Sequence, residues 1–216
     1  MTGYSSEEEQ IEALRQWWRA NGRSVIAGIV IAVIGVVGWQ QWHAYQKNQE
    51  LAAAGAYEAL SSDVGSQDLD AATREWATLK QDHTDSTYAV LGSLRLAAAR
   101  ADAGNFDAAA EALRWARKHA GDNGLGQLSR LRLAQVLDAA GKDDDAVSTL
   151  KPVPDGPYKA RYQELLGDIE MARGNRDAAI KAYRAAIAAN PPEHRRGLIR
   201  MKLADLGAEA EPEPTS

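Results

Sequence analysis

A chain of 216 residues with 45% hydrophobic residues has room for one ordinary core and little more. Its net charge of −5 offers no large field for nucleic acid, and the absence of cysteine excludes disulfide staples and thiol chemistry. The four histidines, His43, His83, His119 and His194, are too widely spaced for a short metal-binding motif.

The first predicted element is a membrane anchor. Residues Val25 to Trp39 form the most apolar stretch of the chain, preceded by Arg15, Arg19 and Arg23. Trp17 and Trp18 stand before it and Trp39 and Trp42 after it, as expected of rings at the two headgroup levels of a bilayer. A helix from Trp18 to Trp39 would be about 33 Å long at ~1.5 Å per residue, enough to cross the hydrocarbon layer. Arg23 would snorkel to the first interface. A buried core helix is a poorer reading, because arginines and tryptophans are poor core flanks. A cleaved signal peptide is poorer too, because the nearest small-x-small site, Ala52 to Ala54, lies far beyond the apolar run. The arginines before the span, against Lys47 soon after it, predict a cytoplasmic N-terminus and an exported C-terminal domain.

Downstream of the anchor, alanine is abundant, β-branched residues are sparse, and apolar positions recur at helical spacing, which predicts an all-α domain. Three segments repeat. Gly104, Gly141 and Gly174 each follow one apolar helical pattern, precede another, and are followed five residues later by Ala109, Ala146 and Ala179. The glycine reads as a left-handed helix stop, and the alanine lets two antiparallel helices approach closely. A helix–turn–helix unit at a period of 37 and then 33 residues is the signature of a tetratricopeptide array. The third copy is the fullest, with Leu166-Gly167, Ala179, Tyr183, Ala186 and the closing Pro191. Upstream, Ala56 to Leu60 and Ala72, Trp76 and Leu79 form a fourth, degenerate pair. Arg196 to Leu206 reads as a capping helix. The expected division is a cytoplasmic and juxtamembrane segment over 1–23, an anchor over 24–42, the helical-hairpin domain over 43–206 and a disordered acidic tail over 207–216.

In such arrays the first helix of each pair lines the concave face. That face predicts a partner-binding groove of Leu91, Leu94, Ala98 and Ala101, then Leu128, Leu131, Gln135 and Asp138, then Arg161, Glu164, Asp168 and Met171. The groove would run from apolar to mixed charge and suits an apolar segment or a partner helix. The alternative is that Leu94 and Leu131 pack against a neighbouring helix of the chain itself. Asp143-Asp144-Asp145 reads as a solvated helix start rather than a calcium loop, because the alternating oxygen ligands and terminal glutamate are missing. No nucleophile, zinc or phosphate-loop motif is present in the sequence. The chain is read as non-enzymatic, with no cofactor and no metal.

The juxtamembrane block Glu8-Glu9-Gln10-Ile11-Glu12-Ala13-Leu14-Arg15, then Trp17-Trp18, Asn21-Gly22-Arg23 and Gly38-Trp39, resembles the ancillary SecYEG translocon subunit family. So does Met201-Lys202-Leu203 followed by Leu206. The resemblance implies a single-pass protein of the bacterial inner membrane with a periplasmic tetratricopeptide-like domain. It further implies association with the SecYEG translocon, with a membrane-anchored periplasmic chaperone of the prolyl-isomerase-like type, and with exported client proteins. Two other readings stay open: a periplasmic scaffold for envelope or cell-wall assembly, and a regulator acting through its cytoplasmic tail.

Overall fold

Glycine sets several of the helix ends, and polar side chains cap four of the starts. In the computed structural model, which describes residues 7–208, Gly104, Gly141 and Gly174 adopt φ of +76°, +71° and +78°. The residue after each glycine donates its N–H back to the carbonyl five residues earlier: Asn105 to Arg100, Lys142 to Leu137 and Asn175 to Glu170, each at 2.8 Å. Each glycine N–H bonds the carbonyl three residues back. These paired bonds satisfy carbonyls that a helix end leaves orphaned, and the left-handed φ they require is why glycine stands there. Ser86, Asn105 and Asn123 cap the helices that follow them through their side chains.

The described residues are all-α, as expected. They divide into two units, 7–51 and 52–208, with α1 (Glu7–Gly65) contributing to both. In the first unit α1 is apolar and exposed: Ile29, Ile31 and Ile34 show 57%, 71% and 66% of their surface. A helix of this length and mean hydropathy can cross a membrane, and its lack of burial is the opposite of a soluble core helix. Trp17, Trp18, Trp39 and Trp42 are exposed along it, as is Arg23. The Trp18 ring lies over Gly22, one turn on, where a Cβ would stand 3.2 Å from the indole.

In the second unit the end of α1 and α2 (Leu69–Asp82) precede the hairpins and give Leu60, Ala72, Trp76 and Leu79 to the core. Three hairpins follow: α3 (Thr87–Asp102) with α4 (Phe106–Ala120), α5 (Gly124–Ala139) with α6 (Asp143–Leu150), and α7 (Lys159–Ala172) with α8 (Arg176–Ala188). The repeated alanines Ala109, Ala146 and Ala179 are wholly buried where the paired helices meet. One continuous core runs from Ala53 and Leu60 through Trp76, Leu96, Leu113 and Leu133 to Tyr162 and Ile169. The irregular segment after α6 is held by Arg130, which donates to the carbonyls of Thr149 and Pro152 at 2.5 Å each. Asp143, Asp144 and Asp145 form the first turn of α6, where carboxylates complement the helix dipole.

α9 (Glu193–Asp205) lays Ile199, Leu203 and Leu206 over Ala179, Tyr183 and Ala186 in a separate small cluster. Order continues past the expected end at Leu206. Gly207 and Ala208 close α9 with the same paired backbone bonds, to Ala204 and Leu203. The rest of the expected disordered tail, from residue 209, lies outside the described residues, as does the N-terminal segment before Glu7.

Candidate binding groove

The first helices α3, α5 and α7 are successive neighbours in the array, and their free faces define its inner surface. Between α3, α5 and the end of α1 lies a groove of about 870 Å³. Its apolar lining includes Tyr57, Val64, Leu91, Leu94, Ala98 and Leu128, and its charged groups are Arg95, Asp102 and Arg132. A second hollow of about 310 Å³ adjoins it, lined among others by Phe106, Gln135 and Val136. The two share Leu94, Ala98, Asp102 and Arg132. Leu91 and Leu128 are half-buried and Ala98 is exposed, so the groove offers apolar surface to a ligand.

Four of the expected groove residues, Leu91, Leu94, Ala98 and Leu128, thus line one groove, and Ala101 and Gln135 line the hollow beside it. Leu94 is a wall, only 3% exposed. Leu131 lines neither space. At 4% exposure it belongs to the core, as the alternative reading held. Asp138 lies outside both, half-buried, and its carboxyl is raised by burial and then by Asp143 and Asp168 nearby.

Glu164 and Asp168 lie under the cations of α9. The Glu164 carboxylate, 6% exposed, accepts from Arg195 at 2.9 Å and Lys202 at 3.2 Å, with Arg161 at 3.5 Å. Lys202 also donates to both oxygens of Asp168, at 2.7 and 2.9 Å, and Tyr183 donates to Asp168 at 2.8 Å. The groove is therefore shorter than the repeat spacing predicts, because α9 pairs the charges at its third repeat. Tyr57, Val64 and Leu69 were absent from the expected lining, since the degenerate pair gives no clean register. Arg95 and Arg132 were absent too, although each stands nine residues before its turn glycine.

This cluster carries a pH signature. Burial lowers the affinity of Lys202 for its proton, but Asp168 and Glu164 outweigh it and hold the ammonium above its ordinary value of 10.5. Burial and the bond to Asp168 push the Tyr183 phenol well above 10.0. In the fold both groups keep protons that the unfolded chain gives up. Stability is fully present below about pH 10 and falls as pH rises through the raised values. Urea midpoints of the detergent-solubilised chain should hold up to about pH 10 and drop above it, and less steeply in Tyr183→Phe. Identical slopes for the two proteins would rule out this role for Tyr183.

The hairpin array defines a tetratricopeptide-like protein, and a family model described as tetratricopeptide repeat-like domain matches residues 15–208. The chain is 34% identical over 184 residues to the ancillary SecYEG translocon subunit of Haemophilus influenzae, covering 85% of this chain and 90% of that one. To the protein of the same name from Aggregatibacter actinomycetemcomitans it is 31% identical over 94% of this chain and 99% of the relative. For that of Escherichia coli the figures are 26%, 94% and 98%. The chain belongs to the ancillary SecYEG translocon subunit family. These relatives carry the name of a translocon component, not of an enzyme family. Among the described residues no three histidine, aspartate or glutamate side chains converge on a metal-binding position.

Proposed function

We propose that this protein is an accessory subunit of the Sec translocon, held in the inner membrane by α1 and presenting its helical-hairpin domain on the periplasmic side. The observation that carries this reading is similarity along nearly the whole chain to relatives named as ancillary SecYEG translocon subunits. The arginines before the span and the single Lys47 soon after it support a cytoplasmic N-terminus. Anchoring raises the local concentration of the domain around membrane partners, so weak contacts suffice. The groove over α3 and α5 receives exported clients or a membrane-anchored chaperone of the prolyl-isomerase-like type as clients emerge. No chemistry is required of it.

The test is photo-crosslinking in native membranes, with the probe at Leu91 or Ala98 and a control at the exposed Lys142. Adducts to translocon subunits, a periplasmic chaperone or exported clients are expected from the groove and not from Lys142. Adducts confined to cell-wall machinery would move the scaffold to envelope assembly. Protease added outside spheroplasts should digest the hairpin domain; protection of that domain would reverse the orientation.

A further inference from the structure

The groove contains two guanidinium groups that the described residues leave unused. Arg95 on α3 and Arg132 on α5 stand at the same place in consecutive repeats, 37 residues apart. Neither makes an ion pair or side-chain hydrogen bond among the described residues. This contrasts with the third repeat, where Glu164 and Asp168 are each matched by cations of α9. Arg100 and Arg130, which face other helices, are likewise committed to acceptors of the chain. Asp102 also lines the groove, so two guanidiniums stand against one carboxylate, and the local excess is positive in a chain of net charge −5.

The geometry points to an occupant of defined chemistry: a peptide segment with an acidic side chain flanked on both sides by apolar residues. This rests on the groove reading above and specifies it. Charge complementarity supplies the acidic residue, since a guanidinium beside apolar surface pairs best with a carboxylate, and a forked donor can hold both oxygens. The apolar lining decides where in the segment the charge lies. Tyr57, Val64 and Leu91 lie in the larger groove, and Phe106 and Val136 in the adjoining hollow, with Arg132 shared by the two. A ligand chain that fills both spaces continues past the charge in each direction. The carboxylate is therefore an internal side chain rather than a chain terminus. Such a surface also discriminates: a basic segment would meet two unpaired like charges, and a purely apolar one would leave them without a partner.

The test uses the full chain in nanodiscs and fluorescently labelled peptides, acetylated and amidated so that no terminal carboxylate is present. Three peptides share one apolar sequence and differ at a central residue, which is glutamate, glutamine or lysine. Empty nanodiscs correct for partition into lipid. The glutamate peptide is expected to bind about tenfold or more tighter than the glutamine peptide, with the lysine peptide weakest. Arg95→Gln and Arg132→Gln should each shrink the glutamate-to-glutamine ratio toward one and leave the glutamine peptide within about twofold. The ratio should fall as salt rises.

Equal binding of the glutamate and glutamine peptides to the unaltered protein would overturn the charge reading and leave the groove standing. So would arginine variants that lose both peptides equally. No binding of any peptide, with no crosslinks from Leu91, would overturn the groove reading as well. Crosslinks from Leu91 only to a second copy, or only to the chain's own acidic C-terminal residues, would assign the groove to that occupant and overturn the proposal.

Discussion

Trp76→Ala should lower the unfolding free energy by about 3–5 kcal/mol, a large part of the ~5–15 kcal/mol that holds a typical domain. The indole, on α2, is 3% exposed and meets Trp115 edge-on at 6.3 Å between centroids. Its Nε1–H donates to Ser93 Oγ at 2.6 Å, and that hydroxyl donates in turn to the Ala89 carbonyl at 2.9 Å. Lys80 lies 3.6 Å from the ring centroid. Truncation therefore opens a cavity, strands a buried hydroxyl lone pair and removes an aromatic contact together. Trp76→Phe keeps most of the volume and should cost about 1–3 kcal/mol. Urea titrations of the detergent-solubilised chain, followed by circular dichroism, measure both. A loss below about 1 kcal/mol for Trp76→Ala would mean that the α2–α3 contact collapses into the space, against the close packing expected of a core.

Gly167→Ala should destabilise by about 1–3 kcal/mol, although alanine favours a helix by ~1 kcal/mol over glycine. A Cβ at Gly167 would lie 2.4 and 2.5 Å from two carbons of the Tyr183 ring, where carbon pairs ordinarily stand about 3.5–4.0 Å apart. The ring cannot swing aside cheaply. It is 2% exposed, and its hydroxyl is tied to Asp168. α7 and α8 would have to separate, and their separation would disturb the surface on which α9 rests. Because the clash is with one ring, Tyr183→Leu in the Gly167→Ala background should cost less than the two single changes added together. Strict additivity would locate the strain elsewhere.

Much of the hairpin domain was legible because its local signals obey backbone constraints. A left-handed residue at a helix end needs glycine, so Gly104, Gly141 and Gly174 marked three turns. A close helix pair needs a small side chain, so Ala109, Ala146 and Ala179 marked three contacts. The long apolar helix was legible from a run of apolar residues that the described chain leaves exposed. The groove was legible only in part, because helical spacing names a face but not what covers it. Leu131 is on a first helix yet is taken up by the core. Glu164 and Asp168 are closed off by Arg195 and Lys202, charges more than 30 residues away whose approach depends on how α9 docks. Arg95 and Arg132 went unread because expectation at the concave face was limited to other positions of the same helices.

The docking of α9 has a consequence for assembly. A stacked array has no intrinsic length: each hairpin presents to the next the kind of apolar flank it received from the one before. Bared, the flank of Ala179, Tyr183 and Ala186 would be a template for the leading edge of another molecule, and head-to-tail addition of that kind does not close on itself. Ile199, Leu203 and Leu206 occupy that flank, while Leu198, Arg200 and Met201 turn outward. α9 thus covers the flank from which head-to-tail growth would start, a protection that would count most in a membrane, where copies held in two dimensions meet frequently.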